Sequence, residues 1–279
     1  MNRLIGTLCL LISLEANAQY YYKDIVVSRQ TIATKEKYKS LNIAAVDVIS
    51  YEPNGERTQD FSGQQVITST RIKTNFNTPM SGESELNTIF DGSGRLSSVT
   101  DSADGSSSRS QYLYYGNTGS LQKISNVSVS SGQRSEQEDH LWLYNGNGQP
   151  EKMFRIKNGV DTTFVTFVPD ERGNVAEEHS RRGNVSLPAY YYYYDDKNRL
   201  TDVVSYNNKA KRLLPLYIFE YTNNDLIKKM IVVPEGTDDY QTWVYEYNAD
   251  GLKTKETAFN KKRQVLGRIE YVYKNTSSR

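Results

Sequence analysis

Cysteine, histidine and tryptophan are scarce in this sequence, with one, two and two residues in a chain of 279. A single cysteine, Cys9, excludes intrachain disulfides and therefore a disulfide-stapled secreted domain. An excess of one charge sign is also missing, because 34 lysines and arginines stand against 33 aspartates and glutamates. This balance argues against nucleic acid or a membrane surface as a partner recruited by bulk charge.

Motifs of the common catalytic and metal sites are missing too. The sequence has neither a His-Glu-x-x-His pair nor a Gly-x-Ser-x-Gly elbow. His140 and His179 each follow acidic residues, and both are expected to face solvent. The pair Asp195-Asp196 falls in a turn, where aspartate bonds to its own backbone. We therefore expect no enzyme, no cofactor and no metal site.

The one long apolar stretch lies at the start of the sequence. Arg3 precedes an apolar run at residues 4–14, and Ala16-Asn17-Ala18 forms a small-x-small cleavage site before Gln19. This order is typical of a secretory signal peptide, and the run is too short for a transmembrane helix. We predict cleavage near Ala18-Gln19, export to the periplasm or the cell exterior, and a mature chain without a transmembrane segment.

A repeat of about 26 residues runs through most of the chain. Each unit has an aromatic strand end followed by a turn that closes on Gly, Asn or Asp. These residue types accept the left-handed backbone that a tight hairpin turn needs. The aligned turn positions, which we expect to be structural, are Gly55, Gly94, Gly119, Gly148, Gly173, Asn198, Asp225 and Gly251.

A second set of turns lies midway between these positions, so each repeat consists of two strands and two turns. Asn158-Gly159 is the clearest two-residue hairpin signal among them. The sequence therefore predicts an all-β fold, an antiparallel β-meander that forms an extended, curved or partly closed sheet, with a closed β-barrel as the alternative. Only residues 35–41 suit a short helix. The predicted domains are a signal peptide at 1–18, a β cap or extension at 19–80, and the repeat domain at 81–279.

The turns resemble the YD repeat of the RHS family, whose core reads tyrosine-aspartate, two residues, glycine, arginine and leucine. Phe90-Asp91-Gly92-Ser93-Gly94-Arg95-Leu96 matches this core except for its phenylalanine. Tyr194-Asp195-Asp196-Lys197-Asn198-Arg199-Leu200 matches except for its asparagine. The resemblance covers about residues 85–275 and implies an architecture of stacked two-strand units. Large family members wrap a cargo in such a sheet; this chain is too short for a shell, so we expect the architecture and not toxin delivery.

Five consecutive tyrosines form the most unusual segment, and residues 20–22 repeat the pattern. On a strand, successive rings alternate between the two faces of the sheet. Exposed rings would form an aromatic platform for glycans or envelope polymers, whereas buried rings would be cross-strand packing. The candidate binding residues are Tyr190, Tyr191, Tyr192, Tyr193 and Tyr194. Basic clusters at residues 209–212 and 261–263 are interpreted as charges that keep a sheet edge soluble, with contact to anionic polysaccharide as the alternative.

The leading hypothesis is a secreted or periplasmic β-repeat protein that acts as a structural or binding module. A carbohydrate or envelope polymer is the candidate partner, and nucleic acid is not expected. Two alternatives remain open: an enzyme that processes envelope polysaccharides, and an outer-membrane β-barrel. The enzyme would need two carboxylates facing each other across a cleft. The membrane barrel would need an apolar row facing lipid on every strand.

Overall fold

The computed structural model describes residues 20–78, 82–130, 135–207, 210–234 and 239–276. The predicted signal peptide at residues 1–18 lies outside them. One helix, α1 (Lys23–Ser40), precedes nineteen strands in the described chain. The strands are β1 (Ile43–Tyr51), β2 (Ser62–Ile67), β3 (Arg71–Thr78), β4 (Gly82–Phe90), β5 (Leu96–Ala103), β6 (Ser106–Tyr114), β7 (Leu121–Val129), β8 (Glu136–Tyr144), β9 (Pro150–Lys157), β10 (Asp161–Pro169), β11 (Val175–Arg182), β12 (Val185–Ser186), β13 (Tyr190–Tyr194), β14 (Leu200–Asn207), β15 (Arg212–Tyr221), β16 (Ile227–Val232), β17 (Gln241–Tyr247), β18 (Lys253–Asn260) and β19 (Val265–Asn275).

These strands form one antiparallel sheet that closes on itself. Strands pair with their neighbours in the chain, and β1 pairs with both β2 and β19. Along this closing seam, Val46 lies opposite Tyr273 and Val48 lies opposite Tyr271. The short β12 pairs through two residues with β11, which also pairs directly with β13. Nineteen strands less β12 leave a closed ring of eighteen.

The open or partly closed meander predicted from the sequence is therefore wrong, and the closed-barrel alternative is confirmed. The seam joins residues 43–51 to residues 268–275. A local pattern of strands and turns carries no information about a contact between segments so far apart in the chain. Residues 43–78, which the sequence analysis treated as a cap or extension, supply β1, β2 and β3 of the same barrel.

Alternation along the strands puts one face of the sheet inside the barrel. On β8, His140 and Trp142 are buried, whereas Leu143 is exposed. The inward side chains form two main hydrophobic clusters. The first includes Trp142 and Tyr217. The second includes Val46 on β1, buried residues of β3, β4 and β5, and Leu252, which follows β17.

Helix α1 lies inside the barrel, because it packs against both clusters. Tyr22 and Ile25 belong to the first cluster and Tyr38 belongs to the second. The strand-like character expected for residues 20–22 is wrong, since they lead directly into the helix. The helix is also much longer than the 35–41 segment predicted for it. Its β-branched residues favour strands intrinsically, and packing in the lumen outweighs that preference.

Seven of the aligned turns lie at one end of the barrel, which we call the turn rim. They follow β4, β6, β8, β10, β13, β15 and β17, whereas the Gly55 turn follows β1 at the opposite rim. Every aligned position has positive φ, from 60° at Asn198 to 86° at Gly173. The residue types in the turns therefore match the left-handed backbone that the hairpins adopt.

Tyrosine hydroxyls join successive repeats at the turn rim. The hydroxyl of Tyr221 donates to the carbonyl oxygen of Leu200 at 2.7 Å, and that of Tyr194 donates to Val175 at 2.9 Å. In each case the acceptor lies two residues after the preceding aligned turn position. The same bond is made by Tyr114, Tyr144, Tyr247 and Tyr273. The recurrence of tyrosine in the sequence thus has a structural cause.

Aspartate and arginine stabilise the turns themselves. Oδ1 of Asp195 accepts the backbone N–H groups of Lys197 and Arg199, both at 3.0 Å. The Arg199 Nε donates to Asp195 Oδ2 at 2.7 Å, and its guanidinium carbon lies 4.6 Å from the centre of the Tyr221 ring. The arrangement recurs at Asp91, Arg95 and Tyr114. These contacts give a physical reason for the aspartate and arginine of the motif.

Candidate functional site

The five tyrosines of β13 divide between the two faces of the barrel wall. Tyr190 and Tyr192 point into the lumen and are only 7% and 3% exposed. Tyr194 shares their face, and its hydroxyl is bonded at the turn rim. Tyr191 and Tyr193 lie on the outer wall, where Tyr193 is 49% exposed. Only the outer pair is accessible to a ligand.

The inner tyrosines hold the segment that precedes α1. The ring of Tyr20 lies 6.2 Å from that of Tyr190, 5.9 Å from Tyr192 and 5.6 Å from Tyr217, centre to centre. Tyr22 meets Tyr192 edge-on at 5.3 Å. Such tilted and edge-on pairs add to the hydrophobic gain of burying the rings. The inner tyrosine rings therefore pack the interior of the barrel.

A buried carboxylate, that of Glu178, accepts the backbone N–H groups at the start of α1. Its two oxygens lie 2.9 and 3.0 Å from the Tyr21 nitrogen, and one lies 3.0 Å from the Tyr22 nitrogen. The Tyr192 hydroxyl donates to the same carboxylate at 2.7 Å. The helix has no side-chain cap of its own. Glu178 therefore acts as a cap supplied by β11, at the helix end that attracts negative charge.

Burial raises the pKa of Glu178 to about 7, against the lowering effect of its three hydrogen-bond donors. The sequence analysis missed this residue. Two of its three partners are backbone N–H groups more than 150 residues away in the chain, and backbone groups give no sequence signal.

A second polar anchor is centred on His140, which is 4% exposed. The expectation that His140 faces solvent is wrong, because it lies on the inner face of β8. Burial disfavours its charged form, but Asp24 and Glu138 outweigh burial and raise the pKa of His140 to about 9. The imidazolium donates through Nδ1 to Asp24 at 2.6 Å and through Nε2 to Glu138 at 2.9 Å. Asp24 belongs to α1, so this contact also ties the helix to the wall.

Arg155 completes the His140 cluster. Its Nε donates to the second oxygen of Glu138 at 2.8 Å. Burial raises the pKa of Glu138, but hydrogen bonds from His140 and Arg155 outweigh it and lower that pKa to about 2. Two cations thus meet two carboxylates, Asp24 and Glu138. Both ring nitrogens of His140 are occupied, so the cluster holds α1 in place and offers a substrate no free proton donor or acceptor.

The other sequence candidates lie elsewhere on the barrel. His179 is exposed on the outer wall, where its Nε2 lies 2.6 Å from Glu177. Lys209 of the first basic cluster lies outside the described residues. Lys211 and Arg212 of the same cluster lie between β14 and β15 or at the start of β15, the second cluster follows β18, and both places are at the rim opposite the turn rim. Among the described residues, no group of three histidine, cysteine, aspartate or glutamate side chains could hold a metal ion.

The outer wall carries ion pairs between neighbouring strands. Lys73 on β3 lies 2.8 Å from Glu85 on β4. The remaining cross-strand pairs on this wall include Lys123–Asp139, Lys229–Glu220, Lys255–Glu246 and Lys274–Asp47. They are spread around the barrel, from β1 to β19. No helix in the described part of the chain is long and apolar enough to cross a membrane.

No protein-family model and no curated protein matches the chain. It is similar to a porin-like protein from Bacteroides uniformis, with 10% identity and a TM-score of 0.40 over 83% of this chain and 98% of that one. A porin-like protein from Bacteroides vulgatus is 12% identical, with a TM-score of 0.28 over 84% and 99%. The Photorhabdus luminescens Tc holotoxin pore is 14% identical, with a TM-score of 0.35 over 77% of this chain and 12% of that one. Scores this low establish neither a shared fold nor a shared function.

Proposed function

We propose that this chain is an exported β-barrel whose outer wall faces water, and that it acts as a structural or binding module without catalysis. The observation that carries the proposal is the set of ion pairs on the outer wall. From the resemblance to RHS repeats we propose only an architecture, in which stacked two-strand units build the wall.

The ion pairs lie within the strands and not only at their ends. Lys73 is flanked by Ile72 and Thr74, both buried in the lumen, so its own side chain points outward from the same stretch of β3. A lysine on the lipid face of a membrane barrel costs about 2–4 kcal/mol at the middle of the bilayer. In water the same pair costs almost nothing. The wall chemistry therefore favours water.

The filled lumen supports a module rather than a channel. Trp142, Met153 and Val203 are fully buried inside the barrel. Helix α1 crosses the same space and is held by Glu178 and by the His140 cluster. A barrel filled by side chains and a helix leaves a solute no continuous path among these groups.

A second candidate is an outer-membrane β-barrel, which the closure of the sheet favours. Apolar side chains also lie opposite one another on the outer wall: Leu141 faces Phe154, which faces Phe164. A charged residue flanks this row on each side: Lys123 lies opposite Leu141, and Arg181 lies opposite Phe164. A lipid-facing band at this level would have to bury both cations.

Fractionation of cells that express the full chain tests the two candidates. We expect the exported protein in the soluble fraction, monodisperse without detergent, with an intact mass that begins at Gln19. A pellet that resists alkaline carbonate and releases the protein only into detergent would contradict the proposal.

A double variant sharpens this test. Replacing Lys123 and Asp139, which lie 3.1 Å apart, with leucine adds apolar surface to the outer wall. If the wall faces water, the variant should be less soluble than the wild type. If the wall faces lipid, the variant should resist denaturation better in detergent micelles, since two buried charges have been removed.

A further inference from the structure

We propose that the outer wall formed by β1 to β6 carries a binding groove for a neutral, hydroxyl-rich polymer, a polysaccharide chain. The inference rests on the proposed function, a water-facing binding module, and names the site and the class of ligand. It places the ligand away from the tyrosines of β13.

The groove is a concave region of about 1010 Å³ on the outer wall, bordered by the β5–β6 turn. Its floor is a row of polar side chains, one from each of six adjacent strands. Each residue in the row lies directly opposite the next: Asp47, Gln64, Asn75, Glu85, Ser102 and Ser107. Neighbouring strands lie about 4.8 Å apart, so the row is about 24 Å long. This length fits several units of an extended polymer.

The row faces outward by the alternation of its strands. Asp47 lies between the buried Val46 and Val48, and Asn75 lies between the buried Thr74 and Phe76. Phe76, the one aromatic residue among those that line the groove, turns its ring into the lumen. The floor therefore offers hydrogen bonds and no apolar platform.

Lysines already neutralise the two carboxylates of the row. The Nζ atom of Lys274 lies 2.5 Å from Asp47, and that of Lys73 lies 2.8 Å from Glu85. The hydrogen bonds from Lys274 and Gln64 hold the pKa of Asp47 below its usual value, so this carboxylate stays ionised and accepts hydrogen bonds. Each carboxylate of the row has a cation beside it, but Glu83 and Asp104 also line the groove, so the lining is acidic and disfavours an anionic ligand.

The remaining floor groups both donate and accept. The amides of Gln64 and Asn75 and the hydroxyls of Ser102 and Ser107 each offer both functions. A ligand that matches them must carry no negative charge and must donate and accept along its whole length, and a neutral chain of hydroxyl groups has this chemistry. A peptide strand is a poorer match, because each strand under the groove already has two paired neighbours and leaves no free edge for strand addition.

Affinity electrophoresis of the mature protein tests the groove. The gels contain dextran, xylan, a soluble β-glucan or, as an anionic probe, alginate. We expect at least one of the three neutral polysaccharides to retard the wild type. The double variant Gln64→Ala with Asn75→Ala should lose that retardation by at least tenfold in apparent affinity while its melting temperature stays unchanged, since both side chains are exposed.

The matched control is Tyr193→Ala, an exposed outward residue on β13, which should be retarded like the wild type. Retardation by alginate alone, or by none of the four polymers, overturns the groove. The groove is also overturned if Tyr193→Ala abolishes polymer binding and the double variant keeps it. That result would still agree with the proposed function as a binding module. The proposed function fails separately, if the protein fractionates as an integral membrane protein.

Discussion

In six of the strands, one tyrosine has two different roles, one for its ring and one for its hydroxyl. The ring fills space at the inner edge of the wall, and the hydroxyl satisfies a backbone carbonyl of the preceding repeat. Phenylalanine can do only the first job, and valine does neither well. This double role gives a structural reason for six of the 22 tyrosines.

The hydroxyl bond can be tested by removing a single oxygen atom. Tyr221→Phe deletes the donor to the Leu200 carbonyl and keeps the ring under Arg199. We expect the free energy of unfolding to fall by about 1 kcal/mol, the usual net value of one hydrogen bond. Tyr193→Phe is the control, because its hydroxyl lies on the outer wall and its loss should change stability very little. Equal denaturation midpoints for the two variants would remove the structural explanation of the repeated tyrosine.

At the scale of elements, α1 depends on groups that titrate. The carboxyl of Glu178 and the imidazole of His140 both have raised pKa values in the folded protein, about 7 and about 9. A raised pKa means that the folded state binds the proton more tightly than the unfolded chain does. The stability from Glu178 is therefore complete below about pH 4.5 and lost as the pH rises through 7. The stability from His140 is complete below about pH 6.5 and lost as the pH rises through 9.

The carboxyl of Glu138 acts in the opposite sense. Its pKa is lowered to about 2, so its contribution is present above about pH 4.5 and lost as the pH falls through 2. Asp24 and Tyr21 from the helix segment and Arg155 from β9 face the same cluster. Because the Glu138 contribution is complete above about pH 4.5 and the Glu178 contribution declines from the same pH, these groups together place the stability maximum near pH 4.5.

The variant Glu178→Gln separates the two losses of stability that occur as the pH rises above 4.5. The variant should be less stable overall, because its amide nitrogen meets backbone N–H donors. It should also lose the decline between about pH 4.5 and 7, which for the wild type is on the order of 2–4 kcal/mol, and keep the decline between 6.5 and 9. Urea denaturation at a series of pH values measures both. An unchanged slope below pH 7 would show that Glu178 is not the group responsible.

Sequence reasoning reached the strands and turns because their signals are local. A turn at Asn198 or Gly173 needs a residue that accepts positive φ, and such residues recur at a fixed spacing. Helix α1 was mostly missed, since β-branched residues such as Ile25 and Val26 favour strands until the lumen supplies partners. The role of Glu178 was missed, and His140 was wrongly expected to face solvent, because the helix groups that they bind lie more than 100 residues away in the chain.

At the scale of the whole molecule, the seam between β1 and β19 decides the architecture. A cysteine pair tests it directly, because the only native cysteine, Cys9, lies in the predicted signal peptide. Asp47 and Val272 are directly opposite each other on the outer wall. We expect Asp47→Cys with Val272→Cys to form a disulfide and to raise stability by up to about 4–5 kcal/mol, as long closed loops do.

The control for the seam keeps the cysteine at position 47 and moves the second cysteine from position 272 to a distant strand. Asp47→Cys with Thr242→Cys should stay reduced, since Thr242 lies on β17 and pairs with β16 and β18. Mass spectrometry after mild oxidation distinguishes the two variants. Free thiols in both would mean that the sheet is open in solution.

The position of α1 has a consequence for how the chain folds. Residues 20–40 are made before any strand, yet their partners extend from β1 to β19. The segment cannot reach its final contacts until nearly the whole wall exists, and the seam cannot close until β19 has been made. Contacts over such long separations slow folding, because loop-closure entropy must be overcome before they form. We expect refolding from urea in a late, cooperative step, in which tyrosine fluorescence of the lumen and pairing of the seam appear together.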